Sequence, residues 1–332
     1  MSPSPLLQMA NISKSFGSNQ VLTDINLDLY EGEVIALLGE NGAGKSTLIK
    51  ILGGIYKANR GEIFINGEKK DIRNAGVAGE NGIRIIHQEI VLVPDRSIAD
   101  NVFLGREYVT KTGLIDKKRM EYETQKLLDD FGINIGADQN VRNLPIGMQQ
   151  LVEIIKAISA EAKIVVMDEP TSSLSQSETQ KLFEIIALLK KRNIGIIYIS
   201  HRLEELFEVT DRIIVLRDGN IVAVTNTKDA KREELITQMV GRTLSSYYTR
   251  NPHEVGEVAL EVKNLCHEKF FTDINFEAHY GEVVGFAGLV GARRTELMKT
   301  VFGAIKKKSG EILLDGKKIE IERPSDAIKA GI

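Results

Sequence analysis

The residues with the clearest chemical potential are Gly39-Glu40-Asn41-Gly42-Ala43-Gly44-Lys45-Ser46. The spacing G-x-x-x-x-G-K-S is that of a phosphate-binding loop. Its glycines let successive backbone N–H groups converge on phosphate oxygens, and a helix opening at Thr47 adds a favourable dipole. Lys45 offers a compact positive charge to the β- and γ-phosphates of a nucleotide, and the Ser46 hydroxyl is a ligand for Mg²⁺. Further along, Ile164-Val165-Val166-Met167-Asp168-Glu169 is an apolar strand ending in two acids. A carboxylate at the end of a buried strand is the expected Mg²⁺ ligand, here Asp168. Glu169 beside it can serve a water attacking the γ-phosphate as general base or orienter. Each motif alone has a plain alternative, a glycine-rich turn or a solvated strand end. Together they point to nucleotide chemistry.

The elements that must position these residues follow from the hydrophobic pattern. Strand-like runs rich in Ile and Val occur at Val34–Leu38, Ile63–Ile65, Ile83–Ile86, Ile164–Met167, Ile194–Ser200 and Ile213–Leu216. Amphipathic stretches such as Gln149–Ala160 and Gln176–Lys191 lie between them, and a helix is expected over Thr47–Leu52. Ile164–Met167 and Ile194–Ser200 are continuous apolar runs, as in strands covered on both faces. The alternation predicts an α/β fold with a largely parallel sheet, and Pro94 to about Ser159 reads as a mostly helical insert. The chain has 332 residues, a net charge of −3, one Cys and no Trp. The lone Cys266 excludes a disulfide framework and a Cys-based zinc site. The near-balanced charge speaks against a general nucleic-acid binder. No segment reads as a bilayer span or a cleaved signal, so a cytoplasmic globular protein is expected.

The chain also repeats itself. Gly32, Gly39, Gly54, Gly61, Gly67 and Gly82 return as Gly281, Gly288, Gly303, Gly310, Gly316 and Gly331, every pair 249 positions apart. Asp24-Ile25-Asn26 returns as Asp273-Ile274-Asn275. A constant offset of this kind marks a duplication. The expected organisation is one complete domain over 1–242, a polar linker over 243–257, and a partial second copy over 258–332. Ile332 corresponds to Ile83, so the second copy is read as truncated, keeping its phosphate-loop strand but little of the sheet around it.

The order of phosphate loop, Gln88 in HQE, Leu144-Pro145-Ile146-Gly147-Met148, MDEPTSSL and Ser200-His201 resembles that of ABC-type ATPases. The stretches LLGENGAGKSTL, HQEIVLVPDRSIADNVFLGRE, YISHRLEEL, MVGR and GLVGARRTEL are similar to the duplicated ATPase subunits of bacterial monosaccharide importers of the ribose, galactose and xylose type. The resemblance covers essentially the whole chain. It implies a P-loop NTPase of ABC type: a mostly parallel core sheet, an antiparallel β subdomain and a helical subdomain. It implies ATP and Mg²⁺ as cofactors, held by Gly39, Glu40, Asn41, Gly42, Ala43, Gly44, Lys45, Ser46 and Thr47, with Ser46, Gln88 and Asp168 toward the metal. Phe16 would stack on adenine, unless it is an ordinary core Phe. Gln88 would link the metal and the attacking water to a membrane subunit. Glu169, His201 and Gln88 would carry the catalysis, with His201 holding the γ-phosphate and Glu169 in geometry.

Three departures from the family pattern qualify that reading. The signature loop, usually Leu-Ser-x-Gly-Gln, is Leu144, Pro145, Ile146, Gly147 and Met148, and Pro145 has neither hydroxyl nor N–H to donate. Ser175 stands where many ABC ATPases carry Asp. The second phosphate loop, Gly288, Gly291, Arg293, Arg294 and Thr295, puts Arg293 in the place of Gly44 and Arg294 in the place of Lys45. That loop is expected to bind nucleotide poorly. Because each ABC phosphate loop faces the opposite domain's signature, the first site is expected to need a signature loop from a partner, such as a second ATPase chain. The implied partners are two membrane permease subunits and, indirectly, an extracytoplasmic sugar-binding protein, with the chain peripheral on the cytoplasmic face of the membrane. Alternatives are an inactive or regulatory remnant, a nucleoside or autoinducer importer, and a soluble ABC protein acting on ribosomes or DNA. The charge balance and the insert argue against the last.

Overall fold

The structure is a computed structural model that describes residues 4–241, 254–289 and 291–332. Two compact units divide the chain, residues 1–247 and 248–332. Of the linker expected over 243–257, residues 243–253 lie outside the described residues.

The first unit opens with β1 (Leu7–Phe16), β2 (Asn19–Leu29) and β3 (Val34–Leu38), followed by α1 (Lys45–Leu52). Next come β4 (Arg60–Ile65), β5 (Glu68–Lys70), α2 (Ala75–Glu80) and β6 (Ile83–Ile86). A helical stretch follows, α3 (Ile98–Val102), α4 (Lys117–Asp130) and α5 (Ile146–Ser159). The chain then alternates through β7 (Ile164–Asp168), α6 (Gln176–Lys191), β8 (Gly195–Ile199), α7 (Leu203–Val209) and β9 (Arg212–Arg217), and closes with β10 (Asn220–Asn226) and α8 (Arg232–Val240).

These strands form two sheets. The larger has the order β10-β9-β3-β8-β7-β6, in which β9, β3, β8, β7 and β6 are parallel and only β10 runs antiparallel. Every residue of β3 and β8 is buried, because one face of the sheet packs against α5, α6 and α7 and the other against α1 and the strands β1 and β2. The smaller sheet, β2-β1-β4-β5, is antiparallel throughout. The run Ile63–Ile65 belongs to this second sheet rather than the parallel one. Its residues alternate in exposure along β4, as in a sheet buried on one side. Between Pro94 and Ser159 the described residues form helices and two isolated bridges, as the insert reading predicts. The ends of β3, β7 and β8 converge on one edge of the large sheet, where open α/β folds place their ligands.

The second unit contains β11 (Val258–Cys266), β12 (Ile274–His279), α9 (Arg294–Val301), β13 (Ser309–Leu314), β14 (Lys317–Ile319) and α10 (Pro324–Ala330). Its sheet order β12-β11-β13-β14 repeats β2-β1-β4-β5. Even a side-chain contact is repeated: the N–H of Asn11 donates to Asn26 Oδ1 across 15 residues, and that of Asn264 to Asn275 Oδ1 across 11. The difference shows that the second hairpin is shorter at its tip, where Phe16 sits in the first.

One expectation for this unit fails. Val283–Ala287, the counterpart of β3, forms no strand, and Val283 and Leu289 are 97% and 87% exposed. In the first unit β3 is hydrogen-bonded on both sides, to β8 and β9. Among the described residues of the second unit no strand offers an equivalent edge, and an extended segment without partners has nothing to hold it in register. Among the described residues no helix is long and apolar enough to cross a membrane.

Candidate functional site

The loop leaving β3 is shaped by close approach. A side chain at Gly39 would bring its Cβ within 2.3 Å of the Leu216 carbonyl oxygen. Gly44 caps α1 at φ 108°, and a Cβ there would lie 2.6 Å from Leu22 Cδ2. The backbone therefore wraps against β2 and β9 where only glycine fits. α1 begins at Lys45, two residues ahead of the Thr47 start expected from the pattern, which puts Lys45 in its first turn. The Lys45 ammonium donates to the carbonyls of Gly39 at 2.7 Å and Glu40 at 3.0 Å. Burial lowers its pKa, opposed by the nearby charges of Glu169 and Asp168.

A cleft of about 280 Å³ opens over this loop. Asn41, Gly42, Gly44, Lys45, Ser46 and Thr47 line it together with Gln88, Asp168 and Glu169. Residues separated by more than a hundred positions thus share one cavity. Asp168, at the end of β7, has its pKa raised by burial first and by the Glu169 charge second. The cleft therefore holds a half-buried carboxylate that pays for its charge, with a hydroxyl and an amide oxygen beside it. Such a set of hard oxygen donors fits Mg²⁺. Glu169 takes a left-handed backbone conformation (φ 49°), and its N–H donates to the Ile199 carbonyl at 2.9 Å. This turn leaves the Glu169 carboxylate 3.2 Å from His201 Nδ1.

The remaining sequence candidates lie elsewhere. Phe16, at the end of β1, is 42% exposed, which removes the core-residue alternative. It meets Tyr56 edge-on at 5.1 Å, and the Lys14 ammonium lies 5.0 Å from its ring centroid. An exposed aromatic ring beside a cation can stack a planar base. The segment Leu144–Met148 is not among the residues lining the cleft. Leu144 is buried, Pro145 takes the N-cap position of α5 without a side-chain cap, and Ile146 is exposed. Gly147 lies beneath the Glu178 carboxylate, which a Cβ would meet at 2.1 Å. Glu178 is fixed by a capping box with Ser175 at the start of α6. Ser175 therefore already has a structural use as a helix cap.

In the second unit Arg293 caps α9 in a left-handed conformation (φ 64°). Its guanidinium pairs with Glu296 at 3.2 Å and lies 5.4 Å from the Phe270 ring, which stacks on His267. Arg294 and Thr295 line an open depression with Phe286. Gly288 is exposed and Gly291 has φ 90°, while residue 290 of this loop is outside the described residues.

Sequence reasoning missed several buried polar groups. Glu153 on α5 accepts the Val91 N–H at 2.5 Å, and burial raises its pKa. It lines a second cavity of about 390 Å³ with Arg84 and Arg106. Glu205 is enclosed at 6% exposure by four donor side chains. Glu153 carries no spacing signal; Glu205 does follow His201 by one helical turn.

Residues 22–172 match the family described as ABC transporter. The chain is 48% identical over 99% of its length to the ribose import ATP-binding protein RbsA of Caldanaerobacter subterraneus subsp. tengcongensis, of which it covers 66%. It is 48% identical over 98% of its length to the protein of the same name from Lactococcus lactis subsp. lactis, again covering 66%. The chain thus spans just under two thirds of these relatives. Among solved structures it is similar to MJ1267, an ATP-binding cassette of an ABC transporter in its ADP conformation, with a TM-score of 0.64 and 24% identity over 72% of this chain and all of that one. CbiO1 from Clostridium perfringens, part of an ABC transporter complex, gives a TM-score of 0.61 at 23% identity over 74% of this chain and 98% of the other.

Proposed function

Because the chain belongs to the ABC transporter family of ATP-binding proteins, we propose that it binds ATP with Mg²⁺ in the first unit and hydrolyses it to energise import of a monosaccharide. The observation that carries this reading is the single cleft shared by Lys45, Ser46, Gln88, Asp168 and Glu169. The names of its relatives make ribose the first sugar to try.

In this reading Lys45 exchanges its two carbonyl acceptors for β- and γ-phosphate oxygens, with backbone N–H groups from Asn41 to Thr47 beside it. Asp168, Ser46 and Gln88 hold Mg²⁺, which neutralises charge on the phosphates when bound. Glu169 orients the attacking water and takes its proton. His201 fixes the Glu169 carboxylate and faces the terminal phosphate, and Phe16 stacks on adenine. Catalysis here is mostly placement and charge compensation, since phosphoryl transfer asks little covalent chemistry of the protein.

Residues 1–242 form the ATPase domain, 243–257 connect, and 258–332 belong to a second domain of the same kind. The second loop contributes little to hydrolysis, because Arg293 and Arg294 replace the small residue and the ammonium. The signature loop opposite the first site comes from another ATPase domain, and Leu144–Met148 serves a partner in turn. Two permease subunits hold the chain at the cytoplasmic face of the membrane, and a sugar-binding protein delivers the cargo to them.

The test is Mg²⁺-ATP binding by titration calorimetry, followed by ATP-dependent ribose uptake in vesicles carrying the cognate permease. Binding by the wild type but not by Lys45→Ala is expected. Equal affinity in the two proteins refutes the assignment of the site, and absence of uptake with any monosaccharide refutes the transport role.

A further inference from the structure

We propose that Glu205 is a positioning residue that locks the Glu169 turn and the His201 turn into one unit. This rests on the nucleotide site described above and adds to it a residue for which that reading has no role.

Glu205 lies in the first turn of α7 and is 6% exposed. An isolated carboxylate at such a place is costly unless hydrogen bonds compensate it. Here they converge from two sides. Thr171 Oγ1 reaches Oε1 at 2.8 Å and Oε2 at 2.9 Å. Tyr198 Oη and Ser200 Oγ each donate to Oε2 at 2.9 Å, and Arg202 reaches Oε1 at 3.3 Å. Thr171, Tyr198 and Ser200 are themselves buried.

The identity of the donors is what matters. Thr171 is two residues past Glu169, in the turn whose Ser172 N–H returns to the Glu169 carbonyl. Ser200 immediately precedes His201 and accepts the Arg202 N–H at 3.0 Å. The two loops that present Glu169 and His201 come from different strands, β7 and β8. Besides the Glu169 N–H to Ile199 carbonyl bond, a shared carboxylate joins them through side chains. Burial and the neighbouring Glu205 charge push the Tyr198 phenol well above its usual range, so it stays a donor. With His201 exposed, the Glu169–His201 contact by itself has soft geometry, whereas a buried, fully satisfied network has one arrangement. Glu205 touches neither the cleft nor the 3.2 Å contact itself. It acts through the two turns.

The experiment uses the full chain and histidine-ring ¹H–¹⁵N spectra without nucleotide. The chain has five histidines, and His201→Asn identifies the signal of His201. In Glu205→Gln the His201 ring signals are expected to move while those of His267 and His279, in the second unit, stay in place. Where Glu205→Gln fails to fold, Thr171→Val keeps the carboxylate and removes only the link to the Glu169 turn, and the same selective shift is expected. Unchanged His201 signals in a folded variant overturn the proposal, as does an equal shift of all histidines. With Mg²⁺-ATP and Mg²⁺-ADP as probes, loss of about tenfold in ATP affinity with little change for ADP is expected, as for outer carboxylates that orient an imidazole ligand. Equal loss for both nucleotides also overturns it. A wild type that binds neither nucleotide refutes the proposed function instead, and the spectra still decide the role of Glu205.

Discussion

Gly42 and Gly44 lie two residues apart in the same loop, yet alanine at the two positions should behave differently. Both have positive φ, 88° and 108°, so a Cβ costs about 1–2 kcal/mol of backbone strain at either. Restricting the unfolded chain returns about 0.4–1 kcal/mol in both cases. The surroundings then separate them. A Cβ at Gly42 meets nothing within 4 Å, whereas one at Gly44 falls 2.6 Å from Leu22 Cδ2 and 3.1 Å from the Val21 carbonyl. Leu22 is fully buried and cannot swing away, so overpacking adds about 1–3 kcal/mol. Gly42→Ala should therefore cost about 0–1.6 kcal/mol and Gly44→Ala about 1–4.6 kcal/mol. With m of about 2–3 kcal/mol/M, the added overpacking separates the urea midpoints by about 0.3–1.5 M. The chain has no Trp, so far-ultraviolet circular dichroism is the suitable probe. Equal midpoints, or a lower midpoint for Gly42→Ala, would refute the claim that the loop is moulded against β2.

Asp168→Asn should stabilise the ligand-free protein at pH 7, because burial and Glu169 raise the Asp168 pKa. The sign follows from linkage: a carboxylate raised above its unfolded value penalises folding once pH exceeds the unfolded value, and below it both states are protonated. The advantage should shrink as pH falls from 7 toward the ordinary aspartate value of 3.8 in urea titrations, and a destabilised variant at pH 7 would contradict it. Phe16→Ala should leave stability within about 0.5 kcal/mol, as for an exposed site, while weakening ATP more than inorganic triphosphate in competition titrations. Equal weakening would remove the base-stacking role. Ser175→Ala should cost about 0.5–2 kcal/mol through loss of the α6 capping box, measured as a urea midpoint shift; no shift would mean that Glu178 is held otherwise.

Local regularity made much of this protein readable in one dimension. The glycines, Lys45 and Ser46 form a motif because a tight loop and a helix start are set by neighbouring residues. β7 and its two acids were legible because a strand covered on both faces is continuously apolar. The duplication was legible because turns demand glycine at fixed intervals. Sheet membership was not. Ile63–Ile65 resembles the core strands in composition, yet its partners are β1 and β5. The counterpart of β3 at Val283–Ala287 has strand composition and no strand, because pairing needs edges that composition does not reveal. Phe16 keeps an ordinary core role as an alternative until β1 is placed and leaves it exposed. Glu153 and Glu205 look like surface acids on helices until the fold encloses them and supplies donors from neighbouring loops. Short-range geometry is carried by neighbouring residues, and it is enough to mark a phosphate loop, a strand-end acid pair and a repeated unit. Which distant residues share the cleft and which carboxylates are buried emerges with the fold, because hydrogen-bond partners and desolvation are set by groups far apart in the chain.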